Sequence, residues 1–205
     1  MQLTMLKHLK CSTMPKPANN NIQISDAHGG VRVWDPLVRI FHWSLVASFA
    51  TAWFTSTSRD ETHQWIGLIA AALIAFRLLW GFIGSPYARF SQFIRYPRIT
   101  LRYIIDILKN REVRYLGHNP AGGMMVLALL SGVAGTALTG YLMTTDAWYG
   151  EDSMQITHSV FAYGVLILLV GHIGGVILAS IRHKENLVSA MVSGNKKAPE
   201  ANDVA

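Results

Sequence analysis

Four of the eight histidines, His42, His63, His158 and His172, fall in or at the ends of long uncharged segments. An ionisable side chain is costly there and as a rule marks a function. An imidazole in such a place can bind a metal, relay a proton or hydrogen-bond a ligand. His158 and His172 are the most informative pair. Fourteen residues of helix at about 100° each return a side chain to within about 40° of its starting direction and carry it about 21 Å along the axis. One helix face therefore offers an imidazole near each surface of a bilayer. Arg77 follows His63 by the same step.

These positions require a chain that crosses a membrane. Of the 205 residues, 51% are hydrophobic and only 15% charged, against roughly 25% charged in soluble domains. The apolar residues are gathered in long blocks instead of at amphipathic spacing. Asp35-Pro36 opens the first block, since aspartate is a good N-cap and proline suits the first helical position; a helix is predicted from Pro36 to about Thr57. The second block runs from Thr62 to about Gly84, where Ser85-Pro86 ends it, with Arg77 as its internal charge. The third runs from Asn119-Pro120 to Thr145, and the fourth from Gln155 to Ile181, stopped by Arg182-His183-Lys184. Each reaches the roughly 20 residues that span a bilayer core. The expected fold is an all-α integral membrane four-helix bundle.

The net charge of +6 does not point to nucleic acid, because the basic residues lie in segments between apolar blocks; membrane lipid is the simpler partner. Lys and Arg concentrate in the N-terminal segment, the loop from Arg89 to Arg114 and the C-terminal tail, while the short loops hold Asp60, Glu61, Asp146, Glu151 and Asp152 with only Arg59. Both termini are therefore expected on the cytoplasmic side. Residues 1–30 read as a flexible cytoplasmic tail, 31–192 as the transmembrane domain and 193–205 as a disordered C-terminal tail. Lys7 and Lys10 precede no apolar stretch, so the first helix is expected to act as its own insertion signal. Cys11 is the one cysteine and has no partner for a disulfide or thiolate cluster. Within the Arg89–Arg114 loop, Ile99, Leu101, Ile104, Ile105 and Leu108 are expected on one helical face, ringed by Arg98, Arg102 and Lys109, as in a helix lying on the cytoplasmic leaflet.

With that topology His42, early in helix one, is level with His172, late in helix four, and His63 is level with His158. Two imidazole pairs stacked across a bilayer are what two bis-histidine haems need. Zinc would want four ligands at one point. Gly67, Gly164, Gly171, Gly174 and Gly175 would admit a porphyrin face or a neighbouring backbone. Arg77 suits a haem propionate or a lipid headgroup. His118, in Gly117-His118-Asn119-Pro120, reads as a propionate partner or a helix-start residue, with a substitute ligand as the third reading. His8, His28 and His183 lie in polar segments and read as solvated.

Taken together, Arg32 to Trp43, the helix-two opening His63-Gln64-Trp65-Ile66-Gly67 with Arg77, Gly117-His118-Asn119-Pro120-Ala121-Gly122-Gly123, and the His158 to His172 spacing resemble the bacterial cytochrome b561 group and the b-type cytochrome subunit of nickel-iron hydrogenase. The resemblance covers nearly everything from Val31 to Val192. It implies a four-helix bundle with haem b ligated from helices one, two and four. Carried over, His42 with His172 would hold a cytoplasmic-side haem and His63 with His158 an outer one. The link between helices one and two is shorter than the family pattern, which leaves His63 close to the outer surface. The resemblance also implies a multi-pass protein of the bacterial inner membrane that moves electrons between quinone and a redox partner protein. The expected function is that of a di-haem b-type cytochrome passing electrons between quinone or quinol and a periplasmic cytochrome c or other redox protein, with a quinone-linked oxidoreductase in its own right and a homodimer left open. Two other readings stay open: a haem-binding membrane anchor of a hydrogenase-like complex, and a haem-free transporter whose intramembrane histidines relay protons or bind metal.

Overall fold

The structure is a computed structural model that describes residues 24–25, 30–57, 61–199 and 203–204. Four long helices carry the fold: α1 (Pro36–Thr55), α2 (Glu61–Ile83), α5 (Pro120–Leu142) and α6 (Asp152–Arg182). All four are long and apolar enough to cross a membrane. Their outward faces stay bare: Phe82, Ile83, Ile167 and Ile181 are between 70% and 75% exposed. Apolar surface on this scale is not left to water, and a lipid environment covers it. The molecule is a multi-pass membrane protein with an all-α transmembrane bundle.

The helix starts follow from local chemistry. Asp35 caps α1, its carboxylate accepting the Val38 N–H at 2.9 Å, with Pro36 in the first turn. Asn119 does the same for α5, accepting the Gly122 N–H at 2.7 Å ahead of Pro120. The spans begin and end within a few residues of the sequence expectations, α6 starting three residues earlier at Asp152.

Helix α1 packs on α2, α2 on α5 and α5 on α6, but the backbone of α6 does not pack closely on α1 or α2. The bundle is an arc with a seam between its two ends. Its core joins Phe41 of α1, Ala70 and Ile74 of α2, Leu130 and Val133 of α5, and Val165 of α6 to Phe90 and Phe93 of the short helix α3 (Phe90–Phe93). Glycines let α5 and α6 come close: a Cβ on Gly132 would lie 2.8 Å from Val165 and one on Gly135 2.5 Å from Phe161.

The other described helices and strands gather at one end of the bundle, the cap end. The far end holds the α1–α2 and α5–α6 connections. The cap contains α3, α4 (Pro97–Leu108), α7 (Leu187–Ser193) and a small antiparallel sheet of β1 (Ile24–Ser25), β2 (Gly30–Arg32) and β3 (Asn195–Lys196), in the order β1-β2-β3. Composition marks the residues after Gly194 as a disordered tail, yet β3 pairs with β2, and Lys196 is buried. The cause is a set of distant charges. Arg114 binds Glu185 at 2.9 Å and also Asp203; Glu185 accepts the Lys197 N–H at 2.8 Å; and Lys196 reaches the Tyr115 carbonyl at 3.1 Å. Most of the N-terminal tail, with His8, Cys11 and His28, lies outside the described residues, as do Arg59 and Asp60.

Helix α4 has three sides. Thr100 and Tyr103 are buried against the bundle, while Leu101, Ile104, Ile105 and Leu108 are exposed. At about 100° per residue, those four cover an arc next to the packed side, Arg98, Arg102 and Lys109 cover the next one, and Ile99 lies across from them. Ile99 thus departs from the single apolar face expected of it. The rest is the arrangement of a helix half sunk in a membrane surface.

Candidate functional site

At the far end the rings of His63 and His158 meet edge to face, with centroids 6.2 Å apart and planes at 78°. Each ring is pinned to main chain. His63 Nδ1 lies 3.0 Å from the Ala52 carbonyl oxygen, and His158 Nδ1 lies 3.0 Å from that of Thr136, with the Thr139 hydroxyl at 3.2 Å. A carbonyl only accepts, so both rings carry their proton on Nδ1 and place the lone pair on Nε2. Gly140 leaves room for the His158 ring, since a Cβ there would come within 3.1 Å of it.

At the cap end the rings of His42 and His172 stand 6.5 Å apart with planes at 52°. His42 also meets Trp43 edge-on at 5.1 Å. Its Nδ1 is buried and has no hydrogen-bond partner among the described residues. The structure thus brings together both pairs that the sequence reading matched by depth.

The pairs can be tested for fit to a metal held between two imidazoles. A histidine nitrogen sits about 2.0–2.1 Å from a bound metal, and the ring centre about 1.1 Å beyond it, so opposed imidazoles on one metal have centroids about 6.3 Å apart. The observed 6.2 and 6.5 Å bracket that value. The partners come from helices that do not pack closely, so the seam between α6 and the α1–α2 pair leaves room for a flat group. A Cβ on Gly67 or Gly164 would meet nothing within 4 Å, and the same holds for Gly174 and Gly175; Gly171 faces Met125 at 3.5 Å. Among the described residues no three His, Cys, Asp or Glu side chains converge as a zinc site would require.

Arg77 is 3% exposed, although it lies within α2. One guanidinium nitrogen donates to the Ala88 carbonyl at 2.9 Å, the group sits over the Phe90 ring at 5.0 Å, and a second nitrogen is buried without a partner among the described residues. Snorkelling to a headgroup does not describe such a side chain. His118 lies between Trp34 and Phe93, each ring 4.7 Å away, and its Nδ1 is also buried with no partner among the described residues. Burial, then the charge of Arg77 and Lys196 and the nearby His172, push its pKa down to about 3, so it is neutral. It lines a small cavity of about 20 Å³ with Tyr87, Gln92, Phe93, Arg95, Tyr115 and Gly117. Orphaned buried donors at the cap end suit an anionic acceptor such as a haem propionate.

The sequence reading missed the carbonyls of Ala52 and Thr136 and the space made by Gly140. Main-chain acceptors leave no residue-type signature. Gly140, four residues after Thr136 and next to Thr139 on α5, was the one legible sign that this helix approaches the His158 ring closely.

Apolar spans whose inward histidines meet in pairs across an open seam define the class: a multi-pass membrane protein of the b-type cytochrome kind. Comparison with known proteins agrees. Residues 33–194 match the family described as prokaryotic cytochrome b561, and the chain belongs to that family. It is similar to a probable Ni/Fe-hydrogenase B-type cytochrome subunit of Rhizobium leguminosarum bv. viciae, at 20% identity over 87% of this chain and 97% of the relative. It is also similar to a probable Ni/Fe-hydrogenase 1 B-type cytochrome subunit of Escherichia coli K12, at 23% identity over 79% of this chain and 88% of the relative. No solved structure matches the chain significantly. The protein is a b-haem membrane electron-transfer protein.

Proposed function

We propose that the protein holds two b haems, one between His42 and His172 and one between His63 and His158, and carries electrons across the membrane between quinone or quinol and a redox partner protein. The observation that carries this reading is the pair of ring separations, 6.5 and 6.2 Å, at two levels of one bundle. Bound haem would supply one-electron iron chemistry at each level. The chain's own part is to hold the imidazoles, bury the site and keep planar space open in the seam. Arg77 and His118 serve the propionates of the cap-end group.

The cap end is assigned to the cytoplasm, because the exposed cations Arg95, Arg98, Arg102, Lys109 and Arg111 are there. In that orientation the His63/His158 level faces the periplasm of a bacterial inner membrane, where a cytochrome c or another oxidoreductase would dock. The names of the relatives favour a second reading of the partner, in which the chain is the membrane cytochrome subunit of a hydrogenase-like complex. Co-purification of a soluble redox subunit separates the two.

The test is the reduced-minus-oxidised spectrum and the haem-to-protein ratio of purified protein, together with His172→Ala and His63→Ala variants. Two b haems per chain, falling to one in each variant, are expected. A protein without a b-type band, or variants that both keep two haems, would end the proposal.

A further inference from the structure

The two histidine pairs are alike in spacing but not in surroundings. At the far end, His63 and His158 each donate Nδ1–H to a main-chain carbonyl at 3.0 Å. Such a bond raises the basicity of the imidazole as a ligand. A more basic ligand stabilises the oxidised, more positive iron, and so lowers its reduction potential. At the cap end, the His42 Nδ1 is buried and has no such bond among the described residues.

Charge acts in the same direction. Arg77 stands one fourteen-residue step from His63, which puts it about 21 Å along the axis and on nearly the same face, level with the His42/His172 pair. Its guanidinium is buried; one nitrogen meets a neutral acceptor, the Ala88 carbonyl, and another has no partner among the described residues. The anion that acts on it is Asp35, outside the spans, whose hydrogen bonds come from the neutral donors Val38, Trp80 and Ser85 and leave its charge in place; taking Arg77 away still takes a positive charge from this level. A buried cation favours the reduced, less positive iron. If Arg77 instead pairs with a propionate, it removes negative charge from the same site, and the sign is unchanged.

We propose that these contacts order the potentials, the His42/His172 site being the higher, so that an electron on the far-end site runs downhill to the cap end, with Arg77 as the residue that positions the charge. With haem held at both levels, one electron would pass from the far-end group, which would be oxidised, to the cap-end group, which would be reduced, with no bond made and no proton moved. This rests on the two-haem reading above.

The experiment is a potentiometric titration of the purified holoprotein, followed at the haem absorption band, on single-site variants. His42→Ala leaves the far-end site and His63→Ala the cap-end site, so each intrinsic potential is read without repulsion between two centres. The cap-end site is expected to favour reduction at least tenfold more, about 59 mV for one electron. Arg77→Gln should lower the cap-end potential and leave the far-end one in place, and Arg77→Lys should restore most of the difference. In case a histidine variant does not fold, Arg77→Gln in the unaltered chain carries the same test: the upper wave alone must fall. Reversed order, equal potentials, or a shift of the lower wave overturns the inference. A haem ratio of one or none, seen before any potential is measured, overturns the two-haem reading itself.

Discussion

The carboxylate of Asp35, just before α1, accepts the indole N–H of Trp80, near the end of α2, at 3.3 Å. The same side chain caps α1 through Val38 and accepts the Ser85 hydroxyl. One residue thus ties the start of the first span to the end of the second. Burial raises its pKa, but the bonds from Ser85, Val38 and Trp80 outweigh that and hold it below the usual aspartate value.

Asp35→Ala removes the cap and the tie together. Loss of an N-cap costs about 0.5–2 kcal/mol, and the upper part of that range is expected because the Trp80 and Ser85 donors lose their acceptor as well. Thermal unfolding in detergent should show it, with Asp35→Asn falling in between because its amide oxygen can still cap. An alanine variant as stable as the parent would show that the tie contributes nothing.

Glycine substitutions separate packing from cofactor space. At Gly123 a Cβ would lie 2.6 Å from the Phe93 carbonyl oxygen, which is main chain and cannot swing aside. Gly123→Ala should cost about 1–3 kcal/mol by overpacking. At Gly67 a Cβ meets nothing within 4 Å, and alanine favours a helix by about 1 kcal/mol over glycine. Gly67→Ala should therefore leave the haem-free bundle intact and reduce haem retained at the His63/His158 site. Full haem content in that variant would place the open space outside the cofactor site.

The cap should loosen in acid. Burial raises the Glu185 carboxyl, but Arg114, Lys196 and the Lys197 N–H outweigh it and hold its pKa below the ordinary 4.5; Glu112 is lowered likewise, chiefly by Arg182. A carboxylate with a depressed folded-state pKa stabilises the structure fully above its unfolded value, and that contribution is lost as pH falls through the folded value. Hydrogen-exchange protection at Asn195 and Lys196 is therefore expected to hold from neutrality to about pH 5 and to fall below it. Glu185→Gln should lose about 3 kcal/mol of that protection at neutral pH, as when one partner of a buried ion pair is removed. Protection unchanged by the substitution would mean that β3 is held by its strand pairing alone.

Helix α4 should lie at the membrane surface. With Cys11 replaced, nitroxides placed at Leu108 and at Asp106 sit on different sides of the helix. The Leu108 label is expected to be relaxed more by oxygen, which partitions into lipid, and the Asp106 label more by a water-soluble nickel chelate. Equal exposure to the chelate at both positions would put the helix in water.

Much of this architecture is legible along the chain. Long apolar blocks with Asp35-Pro36 and Asn119-Pro120 at their starts determine four spans, because a chain in lipid must satisfy its backbone within each helix. The fourteen-residue repeat of His158 and His172 determines two levels on one face, because helical pitch is constant. The sequence alone also placed all four histidines in matched pairs by depth. Contacts between segments far apart in the chain had to await the fold. The carbonyls that orient His63 and His158, the seam between α6 and the α1–α2 pair, the burial of Arg77 and the folding of Lys196 into the cap each depend on which backbones meet. A carbonyl is the same at every residue, and a charge is solvated or buried only by its neighbours in space. The asymmetry between the two histidine pairs was therefore decided by tertiary structure.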